Sequence, residues 1–254
     1  MDHEIGRVLK TAEKLAPGAM VIFTSDHGSF LGNHCLHSKG PTVYDEVAKV
    51  PFIIKPGCCT DTFNQKQNAV YNMPVSHIDL APTIFEYMGI AIPKMFEGKS
   101  LIPMLTDPSE RINDSVFIEF TRFETIHDGH GGLQIMRSVI DDRYKLSINL
   151  LDTDELYDNE IDPYEMKNLI NDDKYAEIRN DLHKKIIDFM NRTADPFRGY
   201  QWRKRPWSTD MQEATWRNEC CIRQRDNTEY EPRQLAYETG LEIPGVIRVD
   251  SSMT

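Results

Sequence analysis

The stretch Met20-Val-Ile-Phe-Thr24-Ser25-Asp26-His27-Gly28 decides how the chain is read: an unbroken apolar and β-branched run gives way at once to small, polar and ionisable residues. Continuous apolar strands are those buried on both faces, so the run predicts a strand of a largely parallel α/β sheet. In open α/β sheets ligands bind just beyond the carboxyl ends of strands, which puts Asp26 and His27 in that position and gives Gly28 the task of a close backbone approach. Upstream, Ile5, Val8, Leu9, Ala12 and Leu15 mark one helical face that Pro17-Gly18 ends. Downstream, Val50 to Ile54 is a second strand, and the intervening Ser25 to Lys49 segment carries three of the chain's eight histidines without periodicity. Loops of that length inside a compact domain are usually functional.

Farther along, Ile78, Ala81, Ile84, Phe85 and Met88 trace a helix closed by Gly89, and Ser115 to Phe120 is another strand. From Gly132 the pattern changes to a period of two. Leu133 to Ile140 and Tyr144 to Leu150 predict an antiparallel hairpin whose Lys145, Ser147 and Asn149 face solvent. Ile178, Leu182, Ile186, Phe189 and Met190 define a helix to cover the hairpin's apolar face. The fold class expected is therefore α/β, a mixed sheet flanked by helices followed by a small antiparallel sheet with a packed helix. The organisation expected is an α/β portion over 1–130, a small α+β subdomain over 131–192 and an irregular tail over 193–254. The first strand's sheet partners must be more numerous than these residues supply, so a preceding segment is expected, and an incomplete sheet edge predicts self-association.

Composition narrows the function. The chain has 254 residues, 29 basic and 40 acidic, for a net charge of −11. That balance argues against a phosphate-backbone binder, so no nucleic-acid partner is expected. No apolar run approaches the roughly 18 residues of a membrane span, so no membrane partner is expected either. The N-terminus has no secretory pattern, and the five cysteines, four of them in the adjacent pairs Cys58/Cys59 and Cys220/Cys221, outline no disulfide framework. A cytoplasmic location follows as an expectation.

Chemistry concentrates after the first strand. A carboxylate and an imidazole on adjacent residues at a strand's end can both reach one cation. The dipeptide taken alone fits better with Asp26 capping a turn and His27 packing on the sheet edge. Ser38-Lys39-Gly40-Pro41 holds a lysine on a constrained turn, suited to an anion, although the stretch taken alone fits better with a solvated loop lysine. His34 and His37 read as loop residues. Glu119-Phe-Thr-Arg122 leads into a polar loop with Glu124, His127, Asp128 and His130 that either lines a pocket or is a solvated connection. His77 and Asp79 read as a helix start, and Trp202 and Trp207 as buried tail anchors rather than sugar-stacking platforms.

Taken together, Val21 to Gly28, Leu31-Gly-x-His34, Ser38-Lys-Gly40, Tyr44 and Val50-Pro51 resemble the sulfatase family of the alkaline-phosphatase superfamily. The resemblance continues through Ser76-His-Ile-Asp-Leu-Ala-Pro-Thr83, Gly98-Lys-Ser-Leu101, Tyr144-Lys-Leu146, Glu155-Leu-Tyr-Asp158, Asp162-Pro163 and Asn168-Leu169. It extends to Asp195-Pro-Phe-Arg-x-Tyr-Gln-Trp202 and Arg205-Pro-Trp207, a segment similar to the ends of some bacterial sulfatases. What the resemblance implies is hydrolysis of a small sulfated substrate by a metal-activated formylglycine, with Asp26 and His27 among the metal ligands and Lys39 on the sulfate oxygens. It implies calcium in first place; His27, where many members carry Asn, brings in manganese or zinc. His34, Arg122 and His127 are the candidates for substrate contact. The formylglycine motif C/S-x-P-x-R occurs nowhere in these residues, and the Asp-Asp metal pair that should follow the family's first strand is absent as well. The chain therefore resembles the C-terminal half of a sulfatase, and on its own is expected to be inactive. A phosphoester or phosphonate ester hydrolase of the same superfamily, or a non-catalytic fragment, are the alternatives.

Overall fold

The computed structural model describes residues 1–57, 69–93, 96–107, 109–123, 132–193 and 195–208. Helix α1 (Asp2–Leu15) opens the chain. It begins with acidic Asp2 and Glu4, which complement the positive end of the helix dipole. Its apolar stripe lies open: no α1 residue is buried, and Val8 and Leu15 are exposed. Strands β1 (Val21–Thr24) and β2 (Phe52–Lys55) follow, separated by the site loop and the one-turn helix α2 (Asp45–Ala48).

The pairing of β1 with β2 corrects the expected parallel arrangement. They run antiparallel, with Val21 opposite Lys55 and Thr24 opposite Phe52, as a two-stranded sheet. An apolar run reports burial, not strand direction, and here even burial is partial: Phe23 and Ile53 lie open to solvent on neighbouring strands.

A turn of 3-10 helix over His77–Asp79 leads into α3 (Leu80–Tyr87), whose chain leaves the helix through Gly89 at φ +69°, a left-handed conformation that glycine adopts without strain. Helix α4 (Ile102–Thr106) follows, with Pro103 in its first turn. Asp79 fixes this region. Its carboxylate is buried and accepts from the Ser76 and Lys99 backbone N–H groups and from Asn113 Nδ2 at 2.9–3.0 Å, completing a capping box.

The larger sheet is an antiparallel meander in the order β3 (Val116–Phe123), β4 (Gly132–Ile140), β5 (Tyr144–Asn149), β6 (Glu155–Asp158). The predicted hairpin is β4 and β5. Helix α5 (Ala176–Arg192) lays Leu182, Ile186, Ile187 and Met190 on Val139, Leu146, Ile148 and Leu156, all nearly inaccessible, and this is the main core. The tail wraps that core. Through α6 (Tyr200–Arg203) it inserts a fully buried Trp202, and buried Asp195 holds Arg137 through two hydrogen bonds of 2.6 and 3.0 Å. Burial of Trp202 agrees with its expected use as an anchor. Trp207 packs beside His183, 5.0 Å between ring centroids.

The expected solvated face of the hairpin is the second correction. Lys145 and Ser147 are as buried as the residues on the opposite face. The segment Val43–Ala48 covers that face, with Lys145 Nζ donating to the Val43 carbonyl at 2.8 Å. Ser138 and Ser147 satisfy each other across the strands at 2.8 Å.

Candidate functional site

The site grows from the end of β1. Ser25 Oγ donates to the His27 carbonyl at 2.8 Å, tightening the turn that follows Thr24. The Asp26 carboxylate accepts from the His27 backbone N–H at 3.0 Å. That bond is the largest cause holding the exposed Asp26 carboxyl below the usual carboxylate range.

The protonation of His27 follows from its neighbours. Lys39 Nζ stands 2.9 Å from His27 Nε2, and an ammonium can only donate, so Nε2 accepts. Nδ1 therefore carries the proton and donates to the Gly28 carbonyl at 2.7 Å. A hydrogen bond on one ring nitrogen that leaves the other's lone pair outward is how proteins present histidine to a metal. Asp26 Oδ2 lies 3.4 Å from the same Nε2. One anionic oxygen, one imidazole lone pair and one ammonium thus converge at the strand's end.

Loop geometry makes this convergence possible. Gly28 packs so closely on α2 that a Cβ there would lie 1.9 Å from the Glu46 carbonyl oxygen, and its N–H donates to the Val47 carbonyl. The close approach expected of Gly28 is to a bound ligand; the one it makes here is to the backbone of α2. Leu31, His34, Cys35 and Ser38 all have positive φ, with Ser38 at +64° immediately before Lys39. Such conformations are uncommon outside glycine and persist where surrounding contacts over-determine them.

His34 is placed differently from His27. Its ring stacks on Tyr44, 4.1 Å between centroids, and its Nε2 lies 3.4 Å from Glu46 Oε2. Asn33 Nδ2 reaches the other oxygen of Glu46. Arg122 sits on β3, just past a bulge and in register with Leu133, and His127 lies outside the described residues. His77 has a contact that its sequence did not suggest: its Nε2 lies 3.0 Å from Thr24 Oγ1, at the base of the site. A Ser-His pair opening a helix carries no signal of a partner 53 positions away.

Among the described residues no group of three or more His, Cys, Asp or Glu side chains is gathered to hold a metal ion. Asp26 and His27 are two donors of a kind that a divalent cation takes.

Comparisons with known proteins settle the lineage. Residues 32–192 match the family described as N-sulphoglucosamine sulphohydrolase, C-terminal. The chain belongs to the sulfatase family. It is 37% identical over 247 residues to the uncharacterized sulfatase YidJ of Escherichia coli K12, covering 97% of this chain and 46% of that protein. It is 30% identical to a Δ4,5-hexuronate-2-O-sulfatase of Bacteroides thetaiotaomicron, across 78% of this chain and 40% of the relative. The chain thus spans about half the length of the sulfatases it matches. Its fold matches a solved 2-O GAG sulfatase with a TM-score of 0.65 at 26% identity, over 84% of this chain and 47% of that one. A phosphonate monoester hydrolase from Silicibacter pomeroyi also matches, with a TM-score of 0.60 at 28% identity, over 75% and 38%. The sulfatase family implies a divalent metal, and the α/β architecture with its antiparallel sheet is that of alkaline-phosphatase-type sulfatases.

Proposed function

We propose that this chain supplies the sulfate-binding and part of the metal-binding half of an enzyme that hydrolyses a sulfate ester of a sugar or other small organic compound. The observation that carries this is the convergence of Asp26, His27 and Lys39 at the end of β1, with Nζ to Nε2 at 2.9 Å and Nε2 to Oδ2 at 3.4 Å, in a sulfatase-family chain.

Asp26 and His27 would hold the divalent cation, calcium in first place and manganese or zinc as alternatives favoured by an imidazole ligand. Such a cation supplies Lewis-acid polarisation of the reacting groups. Lys39 supplies the rest of the positive charge. The ammonium protons of Lys39 would be directed to an anionic oxygen of the substrate, where they would offset charge as the ester bond breaks. The nucleophile, a formylglycine in this family, is not encoded by these residues. His34, Arg122 and His127 remain the proposed substrate contacts, with His34 held by Tyr44 and Glu46 rather than free to reorient. Names of relatives such as the hexuronate-2-O-sulfatase support a sulfated sugar.

The second reading, a phosphonate or phosphate ester hydrolase, draws on the match to the phosphonate monoester hydrolase. Paired assays separate them. The chain joined to the N-terminal part of Escherichia coli YidJ should hydrolyse an aryl sulfate faster than an aryl phosphonate ester. The reverse order would replace the first reading with the second. Turnover of neither ester, by a fusion shown to fold, would count against both.

A further inference from the structure

We propose that Lys145 and Glu165 are positioning residues for the site loop: from the far side of the chain they set where His27 and Lys39 stand. This rests on the reading that those two residues serve the ester site. Lys145 is 1% exposed, yet nothing in a sulfate-ester reaction calls for a lysine inside the antiparallel subdomain. Its ammonium meets Glu165 Oε1 and Asp45 Oδ1, each at 2.5 Å, and the Val43 carbonyl at 2.8 Å. Glu165 is itself buried, sits at a left-handed φ of +53°, and accepts the Asp45 backbone N–H on its other oxygen at 2.8 Å. Three separate bonds therefore bind residues 43–45 to the sheet. Tyr44 adds a fourth by donating to Glu155 Oε1 at 3.0 Å.

Several of the contacts that hold the site loop are made by that short segment and by the two residues that follow it. Tyr44 packs edge-on to the nearly inaccessible Phe30 and stacks with His34. Glu46 receives Asn33, its carbonyl abuts Gly28, and the Val47 carbonyl accepts the Gly28 N–H one residue after His27. Phe30 N–H in turn bonds the Ser38 carbonyl, next to Lys39. The path from Lys145 to His27 and Lys39 is thus a series of packed and bonded groups. A buried, closely paired ion cluster is a rigid footing, whereas solvent-exposed loop contacts would let the positive-φ residues relax.

Amide hydrogen exchange and His27 nitrogen NMR on the 254-residue chain test this. In Lys145→Met the amides of Gly28, Phe30 and Gly32 should exchange about tenfold faster through local opening, while those of α5 quicken only as far as the loss of global stability carries them. The His27 Nε2 signal should move as its bond from Lys39 is lost. In Glu165→Gln, which keeps an acceptor and removes the charge, the same amides should quicken about threefold. If Lys145→Met does not fold, the exchange rates of Glu165→Gln decide the matter. Unchanged loop amides in a folded variant, or equal acceleration throughout the chain, would overturn the proposal. Addition of sulfate and Mn2+ to the unsubstituted chain tests the ester reading separately: if Lys39 and His27 signals do not respond, that reading fails while the exchange result stands.

Discussion

Lys39 and Lys145 are two lysines that each meet a carboxylate-bearing neighbourhood, and they have opposite surroundings. Lys145 lies under the protein with two carboxylates and a carbonyl saturating its donors. Lys39 is exposed, with its Nζ on a neutral imidazole and the Asp26 carboxylate beside it 84% exposed. Burial turns the first group into a structural brace, because a desolvated charge is tolerated only when fully paired. Exposure leaves the second able to exchange its partner for an incoming anion. The same division separates the two sheets: the four-stranded meander is sealed by α5 and the tail, while β1 and β2 present Phe23 and Ile53 to the outside.

The largest effect should come from breaking the brace. Lys145→Met strands Asp45 and Glu165 against each other and should cost about 3–5 kcal/mol in urea unfolding. Lys39→Met should stay within about 0.5 kcal/mol of the unsubstituted chain. Equal costs would erase the contrast. Next, Leu146→Ala in the sealed core should cost about 2–5 kcal/mol, whereas Ile53→Ala on the open sheet should cost far less.

A smaller effect should appear with pH. Burial holds the His183 imidazole below its ordinary value; its Nε2 is committed to the Trp202 carbonyl, and its Nδ1 has no hydrogen-bond partner among the described residues. The unfolded chain then binds the proton more readily, so stability falls as pH drops below the ordinary histidine value of about 6.5. Glu155 and Glu165 act with the opposite sign. Burial raises both, so folding gains from their protonation as pH falls toward their folded values. His183→Gln should flatten the mildly acidic decline in melting temperature, and an unchanged decline would contradict the assignment. Last, the open sheet should drive weak self-association, which Phe23→Glu with Ile53→Lys should reduce in sedimentation velocity.

Much of this division is legible in the residues, and the exceptions have physical causes. The helical stripes of α1, α3 and α5 and the period-two hairpin of β4 and β5 follow from local pattern. The site dipeptide Asp26-His27 stands out because an apolar strand stops there. Strand direction in β1 and β2 is hidden, because an apolar run looks the same beside a parallel or an antiparallel neighbour. Alternation points Lys145 to solvent because it reports only which residues share a face. What covers that face, Asp45, lies 100 positions earlier, and no local spacing announces it. β6 reads as a motif rather than a strand, its four residues being defined by their pairing with β5.

If Asp26, His27 and Lys39 form one site, paramagnetic NMR tests it most directly. With Mn2+ and sulfate added to the isotope-labelled chain, the His27 ring signals should broaden first and the Lys39 Nζ signal should shift, while the buried His183 ring stays sharp. Broadening spread evenly over the exposed acidic surface, with His27 and Lys39 no more affected than elsewhere, would contradict it.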